Sequence, residues 1–140
     1  MADFFTVEIA TPERLLFREK AVRAQIPAEG GYIGVLPDHA PLLSCLGIGA
    51  LTFTTPDDHR FSLAIKGGFL EILDNTVRVL ADVAEKAQEI DTTQAEKDLK
   101  KSQDDMLNPN QGIDIASALT AARHAQARID AARKAANHEE

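Results

Sequence analysis

The character of the sequence changes abruptly near residue 86, and that break constrains the fold more than any motif does. Before it, apolar and polar residues alternate in short runs. Phe5, Val7 and Ile9 alternate with Thr6 and Glu8; Val22, Ala24 and Ile26 with Arg23 and Gln25; Leu51 and Phe53 with Thr52 and Thr54. A period of two gives a strand one apolar face. Further apolar runs stand at 61–65, 69–73 and 77–80, and the breaks between runs hold Thr11-Pro12, Gly30-Gly31, Pro56-Asp57-Asp58, Gly67-Gly68 and Asp74-Asn75. Turn residues recurring roughly every 8 to 12 positions are the pattern of an antiparallel sandwich or barrel. Residues 33–36 and 42–46 are apolar at neighbouring positions, so those stretches are expected to be covered on both sides or pressed against a partner.

Beyond residue 87 the β-branched and aromatic residues thin out, and Ala, Lys, Glu, Asp and Gln take their place. That composition favours helices. Asp91 or Thr92 can cap a first helix over about 92–106, with Glu96 near the positive end of its dipole. Asn108-Pro109-Asn110-Gln111-Gly112 must end it, because proline cannot continue a helix and disfavours helical backbone before it. A second helix is expected over about 114–136, and so short a linker predicts an antiparallel hairpin. The fold class is therefore α+β, with an antiparallel β-sandwich over 1–86 and a two-helix hairpin over 87–140.

The second helix carries Ile115, Ala118, Ala122, Ala125, Ile129, Ala132 and Ala136 in alternating steps of three and four, the pattern of a coiled-coil seam. Most of these are alanine, which lets backbones approach closely but buries little area, whereas a fully buried Ile contributes about 1.5 to 3 kcal/mol. The facing positions on the first helix, Ala95, Leu99, Ser102 and Met106, are no stronger. A seam held by a few kcal/mol suits a switch. Small-residue seams also occur in permanently docked hairpins, and the sequence leaves both readings open.

Several classes of chemistry are set aside. A chain of 140 residues buries one modest core with an appendage, not two full domains. The net charge of −7 is shared by both parts, with 8 Lys/Arg against 12 Asp/Glu up to residue 86 and 7 against 10 beyond, which argues against nucleic acid. No apolar run approaches the roughly 18 to 20 residues of a membrane span, and the start at Met1 shows no secretory leader, so a cytoplasmic protein is expected. The single cysteine, Cys45, lies in an apolar stretch and is expected to be a buried, inert thiol. Asp38 and His39 adjoin in a Gly/Pro-rich turn without a serine or cysteine nucleophile, while His59, His124 and His138 lack metal-ligand spacing, so neither a catalytic residue nor a metal is expected. A small hydrolase using His39, and a generic β-domain with an inserting helical hairpin, remain as alternative readings.

The segment Gly31-Tyr32-Ile33-Gly34-Val35-Leu36-Pro37-Asp38-His39-Ala40-Pro41-Leu42-Leu43 closely resembles a turn of the epsilon subunits of bacterial F-type ATP synthases. Gly67-Gly68-Phe69-Leu70-Glu71-Ile72 and Val77-Arg78-Val79-Leu80-Ala81-Asp82, leading into Ala84-Glu85, match in order and spacing. The resemblance implies about ten strands followed by a helical hairpin, in a non-catalytic rotor subunit that couples proton flow to ATP synthesis. It further implies contact of the sandwich with the gamma subunit and the c-ring, with Tyr32, Asp38, His39 and Leu42 as candidate contacts. Where this chain has Tyr32 the family often has an acidic residue, which removes an ion pair from that position. The hairpin would reach the alpha/beta catalytic head and block hydrolysis, with Arg123, Arg128, Arg133 and Lys134 as its basic points. Membrane association would come only through the complex, at the cytoplasmic face of the bacterial inner membrane. Some members bind ATP through an aliphatic residue, Asp, two residues, Arg and Ala. The corresponding Ile90-Asp91-Thr92-Thr93-Gln94-Ala95 keeps Asp91 as a candidate nucleotide contact but has Gln94 in place of the arginine, and Arg123 and Arg128 lie out of phase on their helix. No bound nucleotide or other cofactor is expected.

Overall fold

All strands precede both α-helices, and the change falls at Lys86, where the last strand ends. The computed structural model describes residues 2–108, 112 and 114–138. Met1, residues 109–111 at the expected helix break, 113, 139 and 140, and the side chains of Asn137 and His138, lie outside the described residues. The strands are β1 (Phe5–Ala10), β2 (Leu15–Ala21), β3 (Arg23–Ala28), β4 (Gly31–Val35), β5 (Leu42–Cys45), β6 (Ile48–Thr54), β7 (Arg60–Leu73) and β8 (Thr76–Lys86). They pair in the order β2-β1-β8-β7-β6-β3-β4, with β5 also bonded to β7. A single 3-10 turn, Ala87–Glu89, leads to α1 (Thr92–Leu107), and α2 is Ile115–His138.

There are eight strands among the described residues where about ten were expected, and one strand of the difference arises because the runs at 61–65 and 69–73 belong to one bent strand of 14 residues. Gly67 and Gly68 lie inside β7 rather than in a turn. The first half of β7 pairs with β6, from Arg60 opposite Thr54 to Lys66 opposite Ile48, and the second half pairs with β5, from Phe69 opposite Cys45 to Ile72 opposite Leu42. One strand thus changes neighbours at its bend, and this lets the sheet fold over a single core. Phe5, Ile9, Ile26, Leu51, Phe53, Leu63, Ile65, Leu70, Ile72 and Val79 fill that core and are fully buried. At one side of it Phe53 stacks on Phe61 and Phe17 meets Phe53 edge-on, with ring centroids 5.1 to 5.3 Å apart.

Two features were not visible in the sequence. β1 pairs with β8 in parallel, the one parallel pair among the described residues, so the N-terminal strand sits inside the sheet and not at its edge. The edge on that side is β2, whose Arg18, Glu19 and Lys20 mask any alternation while guarding an open row of backbone groups.

The helices begin where their caps stand. The Asp91 carboxylate accepts from the Gln94 amide at 3.0 Å, and that of Asp114 accepts from the Ala116 amide at 3.0 Å and the Ser117 hydroxyl at 2.8 Å. The Ser117 and backbone bonds hold the Asp114 carboxyl below the usual carboxylate range. α2 lies directly on β6 and β7, and α1 packs on α2. Against the sandwich, Ala127 and Ala131 meet Ala50 and Ala64, with Ile48 and Ile90 alongside. Ala118, Ala122 and Ala125 of α2 and Ala95 and Ser102 of α1 are buried as well. The seam is thus wider than the expected stripe. Ile115 and Ala136 are exposed, whereas Ala127 and Ala131 are buried outside it, because α2 is the middle layer and is covered from two sides.

Candidate partner-binding site

Strand register places a continuous apolar row on the outside of the sandwich. Cys45 stands opposite Phe69, Phe69 opposite Leu80, Leu80 opposite Ala10, and Ala10 opposite Leu15. Five strands at about 4.8 Å spacing carry the row over roughly 19 Å. Its large members are open to solvent, Phe69 at 58%, Leu80 at 55% and Leu15 at 55% exposure. Cys45 is exposed on the same row, which corrects the expectation of a buried thiol: β5 has a covered face and an open one, and Cys45 falls on the open one. An apolar row of this extent on a small domain marks a contact surface.

The next row along the strands is charged and satisfied within itself. Glu8 accepts from Arg18 at 2.9 Å and from Arg78 at 3.2 Å, while Arg78 also donates to Glu71 at 3.0 Å. The Arg18 bond, with help from Arg78, holds the Glu8 carboxyl below its ordinary range. Four charges cancel in pairs, so this border adds little net charge beside the apolar row. Leu43 continues the border onto β5 with 74% exposure.

Leu42, the expected contact, turns inward and packs half-buried against the core, while Leu43 faces out. A step of one residue moves a strand side chain to the other face, and both residues are leucine. Asp38 and His39 lie in the loop after β4 and are not an acid/base pair. The Asp38 carboxylate accepts from the Ala2 amide at 2.8 Å, its own amide donates to the Asn75 side chain at 2.8 Å, and Asn75 donates to the Phe4 carbonyl at 2.8 Å. Asp38, with φ of 64°, therefore ties the β4–β5 loop to the β7–β8 turn and the start of β1. His39 bonds the Ala40 carbonyl through Nδ1 at 2.7 Å. Leu36, 64% exposed, gives this end its apolar part.

Tyr32 belongs elsewhere, at the opposite end of β4. Its hydroxyl accepts from the Ala50 amide at 3.0 Å, and the Lys134 ammonium of α2 stands 5.3 Å from its ring centroid. Tyr32 thus holds the docked hairpin. Of the four basic points on α2, Arg128 is likewise engaged: it binds Glu85 of β8 at 2.8 and 3.1 Å and stands 3.8 Å from Asp98 of α1. It joins both helices to the sandwich and is half-buried, whereas Arg123 and Arg133 are exposed. Arg133 reaches Asp130 of its own helix, at 3.9 Å.

The nucleotide motif is used structurally, with Asp91 capping α1 and Arg128 held by carboxylates. Titration calorimetry of the full chain with ATP is expected to give no saturable heat at physiological nucleotide concentration. A clear binding isotherm would mean that Arg128 leaves Glu85 for a phosphate.

Residues 4–87 match the family described as ATP synthase, Delta/Epsilon chain, beta-sandwich domain. The chain is 52% identical over 134 residues to the ATP synthase epsilon chain of Solibacter usitatus (strain Ellin6076), covering 96% of this chain and 99% of that one. It is 38% identical over 133 residues to the ATP synthase epsilon chain of Desulfitobacterium hafniense (strain Y51), covering 95% and 99%. Among solved structures, a chain of the Euglena gracilis mitochondrial ATP synthase (OSCP/F1/c-ring in rotational state 1) shares the fold with a TM-score of 0.81 at 20% identity, covering 99% of this chain and 84% of that one.

Proposed function

We propose, from the premise that this chain belongs to the ATP synthase epsilon chain family, that its outer apolar row seats the gamma subunit and that its helical hairpin restrains ATP hydrolysis. The chain is a non-catalytic central-stalk subunit of the F-type ATP synthase, and its partners are gamma, the c-ring and the alpha/beta catalytic head. It is part of the membrane-associated complex, and none of its described helices is long and apolar enough to cross a bilayer. Its place is peripheral, at the cytoplasmic face of the bacterial inner membrane. The end carrying Leu36, Asp38 and His39 is the part of the sandwich offered to the polar loops of the c-ring. Arg123 and Arg133, outward on the docked hairpin, and Arg128 and Lys134, freed by its release, supply basic contacts to the head.

The observation that carries the gamma assignment is the row from Cys45 to Leu15, where Phe69 and Leu80 are large, adjacent and uncovered. Burial of each on association is worth about 1.5 to 3 kcal/mol, and paired central residues of this kind dominate small interfaces. The double substitution Phe69→Glu with Leu80→Glu is expected to weaken binding to purified gamma by about a hundredfold or more. The melting temperature should hardly move, because neither side chain belongs to the core. Unaltered affinity in a binding assay would place gamma on another face.

A further inference from the structure

The cleft between α1 and α2, closed on its sandwich side by Lys66 of β7, holds a titratable side chain that the docked arrangement leaves unsatisfied. His124 projects from α2 into a cavity of about 420 Å³ and is half-buried there. Its Nε2 is buried and has no hydrogen-bond partner among the described residues. Lys66 of β7 and Arg128, one turn further along α2, face it with positive charge. The carboxylates nearby are Glu85 of β8 and Asp98 of α1, and Arg128 binds both. Of the remaining charged groups around the cavity, Lys101 and Asp105 of α1 pair at 2.9 Å, and Asp114 at the start of α2 accepts from Ala116 and Ser117. A proton on His124 therefore adds a cation to a site whose anions are already committed.

We propose that His124 is a proton-operated latch: neutral, it permits the hairpin to dock on the sandwich, and protonated, it drives the hairpin off. Burial lowers the imidazole pKa from its ordinary 6.5, and Lys66 and Arg128 push the same way against Glu85 and Asp98. The docked state thus binds fewer protons than the released one. Docking is at full strength above the released pKa and weakens as pH falls below it toward the docked pKa. The released-to-docked ratio rises by up to tenfold for each unit that separates the two pKa values. Acidification would then free Arg128 and Lys134 for the partner. The latch rests on the reading of the hairpin as a movable brake.

The test uses the full chain with spin labels on the exposed native Cys45 and on an introduced cysteine at the exposed Gln126, Gln126→Cys. The distance between labels reports docking. Between pH 7.5 and 5.5 the released fraction is expected to rise about threefold or more, and to stay flat in His124→Gln, which keeps a neutral polar group of similar reach. Lys66→Gln, which removes one facing cation, should raise the His124 pKa read by NMR. Arg128→Ala serves as the release control at pH 7.5, since it cuts the link to Glu85 and Asp98 and needs no proton on the imidazole. Acid release that persists in His124→Gln overturns the latch. So does its absence in the unaltered chain when Arg128→Ala releases the hairpin, and in both cases the movable hairpin stands. A hairpin that stays docked in every variant and at every pH overturns the latch, and the brake then depends on a partner to open the hairpin.

Discussion

Truncation after Ala87 is expected to raise ATP hydrolysis by the reconstituted enzyme several-fold while proton-driven synthesis persists. The cut leaves the sandwich whole, because its core cluster contains no residue beyond Ala84, and β8 keeps its pairing with β7 to Lys86. What it uncovers is the small patch of Ala50 and Ala64 with Ile48. Alanine against alanine buries little area, so the docked hairpin depends heavily on Arg128 with Glu85 and on Lys134 with Tyr32. A partner can open such contacts if it binds the released form better by a comparable amount. A brake engaged with a preference of about 1 kcal/mol would hold roughly four-fifths of the enzyme population, so that its removal changes the rate about fivefold. Hydrolysis that does not change under any nucleotide or proton-gradient condition would show a structural hairpin. Outright loss of coupling would show an assembly role, and either result defeats the brake.

The largest effect on stability is expected from Gly68→Ala. A β-carbon at Gly68 would stand 2.1 Å from the carbonyl oxygen of Leu80 and 2.8 Å from the Ala81 α-carbon, and φ there is +117°. Backbone strain of this kind costs about 1 to 3 kcal/mol, and the clash with a partner strand adds to it, because backbone cannot swing aside as a side chain does. A loss of about 3 kcal/mol is a large part of the stability of a small domain and should lower the melting temperature by about 10 °C or more. Gly67→Ala is the milder comparison. Its β-carbon would meet the Asp82 carboxylate at 2.8 Å, a flexible side chain that can move, and φ of +71° is a conformation L residues adopt at moderate cost. Thermal unfolding followed by circular dichroism distinguishes them, and equal melting temperatures for the two variants would show that the β7 bend relaxes freely. The bend also carries Phe69 to the outer face, so Gly68→Ala should weaken gamma binding beyond its effect on stability.

Much of the architecture was readable because it depends on local signals. The break near residue 86, the Asp91 cap and the start of α2 follow from composition, side-chain acceptors and a proline that cannot be helical. The alternation at 5–9 and 51–54 placed Phe5, Val7, Ile9, Leu51 and Phe53 in the core correctly. The candidate site was less legible. Phe69 and Leu80 each sit beside buried residues of similar hydrophobicity, and nothing in a run of apolar side chains says which parity faces out.

The sequence by itself determined that this chain is a strand-rich unit followed by an Ala-rich helical hairpin, because period and propensity act over a few residues. Only the tertiary structure decided the choices that depend on distant neighbours. It turned Leu42 inward and Leu43 outward through pairing with β7, and drew β1 beside β8. It left Cys45 exposed on the apolar row, gave Tyr32 to the hairpin and not to the loop with Asp38, and selected Arg128 over Arg123 as the half-buried clamp. Each is set by contact between residues far apart in the chain, Arg128 and Glu85 being 43 positions from one another. Local periodicity carries no record of such pairings, since a strand or helix of the same pattern forms equally well in the other register.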